Sequence, residues 1–302
     1  MAKPKTPLLS FGARGTIADS LTFQKRNQGT IARTKPIPTD PYTLAQAYQR
    51  WDYQDYAYLW TLQSEASKQT YRTRASRYHM TGFSLWMREH LRDLPDLAGR
   101  WHLDEKAGAI AYDSSKNNNH GTIIGASPVD GVIDGAYHFD GLNDRITIPN
   151  SPTLELGTHD FTFEFFLKCS IYNTFFLGKY KDPANRFYFT LARAGQVSFF
   201  LTKSPFGVLF RIFGTSDACD GLWHHCAVVG KRGNRGWVFL DGQDDSSATV
   251  LCLPDNADIQ APLYIGYFPA VYHLFQDDHF IFYNRALDAT EIKRHSERRY
   301  PA

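Results

Sequence analysis

Trp101–Pro149 reads WHLDEKAGAIAYDSSKNNNHGTIIGASPVDGVIDGAYHFDGLNDRITIP. Its apolar residues alternate with polar ones over short runs, GTIIG, GAYHFD and DRITIP, and Gly, Asn and Asp clusters separate the runs. A period of two is what a strand with one buried face requires, so the stretch predicts antiparallel strands joined by tight turns. Asp113-Ser114-Ser115 and Asn117-Asn118-Asn119 can hydrogen-bond their own backbone and tolerate left-handed conformations, which reads as an ordered loop. Gly141 and, further on, Gly242 suit turns that need a positive φ. The stretch carries no catalytic constellation and points to a binding module.

The texture continues toward the C-terminus in FTFEFFLKC, NTFFLGKY, RFYFTLA, QVSFFLT, LFRIFG, LWHHCAVVG, RGWVFLDG, PLYIGYF and DDHFIFYN. Regularly spaced short strands with turns between them predict an antiparallel β-sandwich. Trp101, Phe139, Phe165, Trp223 and Phe280 are expected in its core. His224 and His225 follow each other on one strand, so one imidazole faces in and the other out. LDATEIKRHSERRY closes the chain as a short capped helix with a basic end.

Toward the N-terminus, SLTFQKR and GTIARTK flank Asn27-Gln28-Gly29 and read as a β-hairpin with a basic outer face of Lys25, Arg26, Arg33 and Lys35. KPIPTDPY is an extended connector. Helices follow, capped by Thr43 and Ser64, and a third, TGFSLWMREHLRDLP, ends at Pro95. These helices carry too few apolar residues to be stable alone and are expected to pack on a partner. The predicted division is 1–96, a basic hairpin-plus-helices assembly domain, and 97–302, the sandwich.

The 302 residues are 43% hydrophobic and 15% aromatic, with 22 Phe and 17 Tyr, a composition that excludes wholesale disorder. A net charge of +2 conceals an asymmetry: residues 1–100 carry 15 Lys/Arg against 8 Asp/Glu, and residues 101–302 carry 18 against 23. Opposite charge on the two parts suggests two jobs. No apolar run is long enough to cross a bilayer and no cleavable signal is visible, so membrane insertion is not expected. Cys169, Cys219, Cys226 and Cys252 lack metal-site spacing and read as buried thiols, with a disulfide to Cys219 or Cys252 left open.

From Leu97 to Arg294 the chain resembles the laminin-G-like, concanavalin A-like lectin family. The resemblance is carried by Trp101-His102-Leu103-Asp104-Glu105, Asp113 to Gly121, Tyr137 to Asp144, Phe163-Glu164-Phe165, Leu222-Trp223-His224-His225, Asp241-Gly242 and Asp277 to Leu287. It implies a mainly β fold, a jelly-roll sandwich preceded by a small α+β extension. The first third resembles the N-terminal part of virion structural proteins of tailed phages and related viruses, on FGARGTIADSLTFQKRNQGTIARTKPIPTDPYTLAQAYQR and YRTRASRYHMTGFSLWMREH. That resemblance implies attachment to a virion.

Proteins resembling the second part often hold calcium beside the Asp-Asn loop, and calcium takes six to eight hard oxygen ligands. Asp113, Asn118, Asn119 and Asp278 are the candidate ligands; the other reading is that Asp113 caps a turn and Asp277 or Asp278 is solvated. No other cofactor is expected. A glycan would need loop rings beside planar hydrogen-bonding groups, and Tyr180, Asn185, Arg186, Tyr267 and Tyr272, with Phe206 and Phe268, are the candidates. A neighbouring subunit could use the same rings. Catalysis is not expected: the paired carboxylates of a glycosidase are missing and Glu164 stands alone among apolar neighbours.

The expected function is a non-enzymatic virion structural protein, a capsid decoration or fibre-like component at the virion surface, made in the host cytoplasm. Residues 1–96 would hold it to the capsid or to sister subunits in a homo-oligomeric or multi-copy assembly, and the sandwich would face outward, with a cell-surface glycan as a further partner. Contact with an acidic shell accounts for the basic charge as well as nucleic acid does, and nucleic acid is not taken as a partner. The alternative is a cellular glycan-binding or adhesion protein with an oligomerising N-terminal stalk.

Overall fold

The structure is a computed structural model that describes residues 43–299 apart from 193, 249, 269 and 270, together with the backbone of three strands nearer the N-terminus. The chain forms two compact units, Met1–Gln46 and Ala47–Ala302. In the first, Leu21–Arg26 and Gly29–Thr34 pair antiparallel with Arg26 opposite Gly29, which is the hairpin read from the sequence. A third strand, Gly15–Ile17, joins its edge and is too short for periodicity to reveal. The basic outer face expected of this hairpin, and the connector after it, lie outside the described residues.

The second unit is mainly β: two antiparallel sheets packed face to face. One sheet runs in the order Gln243–Asp244, Asn234–Leu240, Trp223–Gly230, Phe161–Lys168, Leu274–Tyr283, Gly135–Asp140, Ser127–Asp130. Val250–Cys252 adds to Asn234–Leu240, and Leu97–Trp101 pairs with the second half of Leu274–Tyr283. The other sheet runs Gly207–Phe213, Val197–Lys203, Asn185–Leu191, Thr174–Asp182, Leu263–Ile265, Arg145–Ile148, Gly121–Ile124, Ile110–Ala111. Between the sheets lies a phenylalanine-rich core in which Phe163 stacks on Phe282 at 4.4 Å and meets Phe189 edge-on at 5.2 Å. Each such ring, removed from water, contributes about 2 kcal/mol.

Trp101, Phe139, Phe165 and Phe280 are in this core, as their alternation predicts. Trp223 is not: it pairs with Lys168 at the strand end, on the outward side of the sheet, and stays half-buried. The four cysteines are buried free thiols; Cys219 Sγ lies 3.3 Å from Cys169 Sγ, and Cys252 sits in the core beside Arg232.

Helices α1 (Leu44–Leu62), α2 (Glu65–Ser76) and α3 (Gly82–Asp93) begin at side-chain caps. Thr43 Oγ1 accepts from the Gln46 amide, Ser64 Oγ from Ser67 and Thr81 Oγ1 from Ser84. Tyr56, Trp86 and Met87 form their small shared core. α4 (Ala289–Ser296) starts with a capping box of Asp288 and Glu291.

The unit boundary at 46/47 differs from the 96/97 division read from the sequence, because α1 is joined to the sandwich. Arg100 on the first sandwich strand is paired with Asp52 of α1 at 2.6 Å, Tyr58 donates to Asp288 at 2.9 Å, and Arg294 and Arg298 both bond Asp55. Leu94 packs with Leu97, Ile281, Tyr283 and Ile292. The partner that the helices need is therefore the outer face of the nine-stranded sheet. Among the described residues, no helix is long and apolar enough to cross a membrane.

Candidate functional site

On the eight-stranded sheet, alternation sends Phe187, Phe189, Phe199, Leu201, Phe210 and Ile212 into the core. The intervening residues point the other way. Tyr188 is opposite Phe200, and Phe200 is opposite Arg211. In the row of Tyr188, Gly178 and Tyr264, the middle strand presents no side chain. A Cβ at Gly178 would run into the Phe187 carbonyl, so only glycine fits there.

These outward rings form one platform. Phe200 stacks on Tyr188 at 5.0 Å, Tyr188 meets Phe268 at 4.9 Å, and Phe268 stacks on Phe175 at 4.8 Å. Tyr180 joins through Phe268 at 5.5 Å, and Phe213 meets Phe200 edge-on at 5.3 Å. Beyond Phe268, Tyr267 bridges Tyr264 and Tyr272 at 5.1 and 5.2 Å. Each ring is only partly buried, a geometry suited to stacking against a ligand.

Guanidinium groups lie over the rings. Arg211 sits 4.7 Å from the Phe200 centroid and 4.8 Å from that of Phe213, and Arg186 lies 5.5 Å from Tyr188. Arg145 donates to the Tyr272 hydroxyl at 3.2 Å. Burial pushes the His273 imidazole beside Phe175 down to about 4, so it is neutral at pH 7.

Of the glycan candidates read from the sequence, the platform brings together Tyr180, Arg186, Tyr267, Phe268 and Tyr272. Asn185 is at its end but engaged elsewhere: Nδ2 donates to both oxygens of Asp182 and Oδ1 accepts from the Ser204 amide. Phe206, half exposed, lines a separate recess of about 300 Å³ with Lys181, Lys203, Asn256, Asp258 and Gln260. Phe175, Tyr188, Phe200, Phe213, Arg145 and Arg211 lie on the platform and are absent from the sequence candidates, because each sits inside a strand run whose outward face composition alone does not mark. The period of two in RFYFTLA and QVSFFLT contains that signal.

The calcium candidates do not form a cation site. Asp113 Oδ1 accepts from the amides of Arg100 and Ser115, and Oδ2 from Ser115 Oγ and the Asn119 amide, so donors already surround the carboxylate. Asn119 Nδ2 donates to the Ala98 carbonyl and Thr153, and Asn118 Nδ2 to the Lys116 carbonyl. Asp278 is buried on the strand Leu274–Tyr283 and accepts from the amides of Val132 and Ile133. Burial raises its pKa well above the usual carboxylate range, and the same holds for Asp277. Among the described residues, no three His, Cys, Asp or Glu side chains gather as metal ligands. A hard cation needs six to eight oxygens free to coordinate, and these residues do not fit one. Asp113 is the turn-capping residue of the second reading.

Glu164 lies on the opposite, covered face. Its Oε2 accepts from His295 Nδ1 at 2.8 Å, its Oε1 is 3.6 Å from His225 Nε2, and His295 Nε2 is 3.3 Å from Asp55. Glu164, His225 and His295 are buried between sheet and helices, and the Asp55 side chain is 13% exposed. Despite burial, His295 and the other cations hold Glu164 below its ordinary value, and Arg298 and His295 do the same for Asp55. A substrate cannot reach this network without lifting α1.

A family model described as Laminin_G_3, concanavalin A-like lectin/glucanases superfamily, matches residues 139–293. Among solved structures, the binding domain of Paraclostridial Mosquitocidal Protein 1 is similar with a TM-score of 0.56 at 17% identity, over 67% of this chain and 52% of that one. The botulinum neurotoxin serotype G binding domain gives 0.52 at 13%, over 67% and 50%. Domain 4 of AbnA, a GH43 extracellular arabinanase from Geobacillus stearothermophilus solved in complex with arabinotriose, gives 0.51 at 19%, over 67% and 98%. The chain thus spans about half the length of the two toxin domains and nearly all of the arabinanase domain. At these identities the likeness establishes the fold. No curated protein sequence matches the chain.

Proposed function

We propose that this chain, which belongs to the concanavalin A-like lectin/glucanases superfamily, binds carbohydrate without cleaving it, on the aromatic platform of the eight-stranded sheet. The observation that carries this reading is the run of partly exposed rings from Phe213 through Phe200, Tyr188 and Phe268 to Phe175. Sugar rings present C–H faces that stack on aromatic planes, and the neighbouring hydroxyls meet planar donors such as guanidinium groups. Binding without hydrolysis is supported by the residues present: the rings and guanidiniums named above include no pair of carboxylates to flank a glycosidic bond. The likeness to a domain solved with arabinotriose supports this direction.

Binding of the full chain to a glycan array tests it. The Tyr188→Ala and Phe200→Ala variants should lose the signal while melting near the parent temperature. Retained binding in both would move the site elsewhere.

We further propose that residues 1–46 hold the protein on a larger assembly, a virion surface in the reading drawn from the first third of the sequence. In support, this segment forms its own compact unit and carries 7 Lys/Arg against 2 Asp/Glu. Residues 47–302 should then fold and bind glycan yet fail to enter particles. Normal incorporation of that fragment would sink the anchoring role.

A further inference from the structure

The platform carries positive charge that the protein itself does not neutralise. Elsewhere in the second unit, many arginines meet carboxylates, among them Arg100 with Asp52, Arg235 with Asp244, Arg285 with Glu291, and Arg294 and Arg298 with Asp55. Arg232 is held by the carbonyls of Gly157, His159 and Leu253. Arg186, Arg211 and Arg145 have no such acid partner among the described residues. Arg211 is exposed and bounded by two phenyl rings, Arg186 keeps a buried Nε without a hydrogen-bond partner, and Arg145 has the Tyr272 hydroxyl. Asp182, the nearby acid in sequence, has both oxygens engaged by Asn185.

We propose that the platform selects sugars that bear a carboxylate, such as uronic or sialic acids. The inference rests on the carbohydrate reading above and names its ligand class. A guanidinium fork matches a carboxylate in two parallel hydrogen bonds, and stacking on a ring holds the fork in place before the ligand arrives. The sugar ring then covers Tyr188 or Phe200 while its acid meets Arg186 or Arg211.

A single-stranded nucleic acid also stacks on rings and pairs with arginine. Long-range charge separates the two. Residues 101–302 carry 18 Lys/Arg against 23 Asp/Glu, a field that repels a polyanion, whereas one carboxylate feels chiefly the local guanidiniums.

The test titrates the full chain with two matched pairs, galacturonic acid against galactose and sialyllactose against lactose, and with an oligothymidylate. At least one acidic sugar should bind about tenfold tighter than its neutral partner, the scale of one charge-assisted bidentate contact. Arg186→Gln and Arg211→Gln should each lower affinity for the acidic sugar several-fold more than for its neutral partner and so erase most of that preference. Arg211→Lys, which keeps charge but not the fork, should fall between. Both side chains face outward, and equal melting temperatures verify that the variants fold. Equal affinity for acidic and neutral partners, unmoved by the arginine variants, would overturn the acid selection and leave carbohydrate binding standing. Binding of oligothymidylate above every sugar, or of no sugar at all, would overturn both.

Discussion

The two outer faces of the sandwich are built on the same alternation and treated in opposite ways. The nine-stranded sheet points Glu164, His225, Ala227, Val229, Ile281 and Tyr283 outward and buries them under α1 and α4. The eight-stranded sheet points Phe175, Tyr188, Phe200 and Phe213 outward and leaves them partly exposed. The closed face carries charges paired with one another, and the open face carries rings with guanidiniums that meet no acid among the described residues. A buried charge network is costly to assemble but fixes one geometry, because each group is satisfied only by its own partner. Partly exposed rings hold only one another and the guanidiniums over them, and they remain available to a ligand.

The strongest way to break the comparison is to uncover the closed face. Removing residues 1–96 takes away Asp52 and Asp55 and leaves Arg100, Arg298 and the His295–Glu164 pair without their partners. Leaving one member of a buried ion pair unpaired destabilises by about 3–5 kcal/mol, and here several are stripped along with the apolar contacts of α1 and α3. Residues 97–302 should therefore fail to give a cooperative unfolding transition. Residues 47–302 should keep the parent melting temperature, since the second unit remains whole apart from the first residues of α1.

A single substitution probes the same network more gently. Asp55 accepts from Arg294 and Arg298 and faces His295. Asp55→Asn keeps the shape and removes the charge that holds three cations. Thermal or urea unfolding should report a loss of about 3 kcal/mol, with platform binding unchanged in the protein that remains folded. A loss below about 1 kcal/mol would mean that α1 is held by its apolar contacts alone.

On the open face the order of effects reverses. Phe200→Ala removes the ring that carries Arg211 and touches Tyr188 and Phe213. Because that ring is only partly buried, the stability loss should stay near ~1 kcal/mol, while glycan affinity should drop about tenfold or more. A variant that loses stability and keeps affinity would show that the platform is a surface sealed for packing.

How legible was this in the sequence? The strand runs and their turn residues decide the sandwich, because a period of two survives any tertiary context that buries one face. The same period also separates Phe199 from Phe200, but it does not say which outer face a helix will cover. That depends on Asp52, Asp55 and Tyr58, which on the helix look like ordinary polar positions and acquire their role only when Arg100, Arg298 and Asp288 are brought to them from about 50 to 240 residues away. The Asp-Asn loop was legible as an ordered turn; its suitability for calcium was not, since hydrogen bonds from Arg100 and Asn119 to Asp113 appear only in three dimensions.

The finest test uses two neighbours on one strand. His225 faces the closed side beside Glu164, and burial pushes it down to about 4. His224 stands at the strand end, where Nδ1 meets Asp241 at 2.8 Å and Nε2 meets Asp220 at 3.0 Å; the bond to Asp241 leads in raising it to about 9. The signs follow from proton binding. His225 is neutral in the fold, so the unfolded chain takes up the proton first as pH falls below about 6.5, and its contribution is lost between there and about 4. His224 is charged in the fold, so its contribution is complete below about 6.5 and lost as pH rises through about 9. The carboxylates around His224 are half exposed and screened by water, so the alkaline effect should be small, ~2 °C in melting temperature between pH 7 and 9. His224→Gln should flatten that alkaline limb and leave the acid limb in place. If the variant keeps the alkaline limb, the charge on His224 is not what ties Asp220 to Asp241, and the contrast between an imidazole closed under helices and one held at an open rim loses its clearest pair.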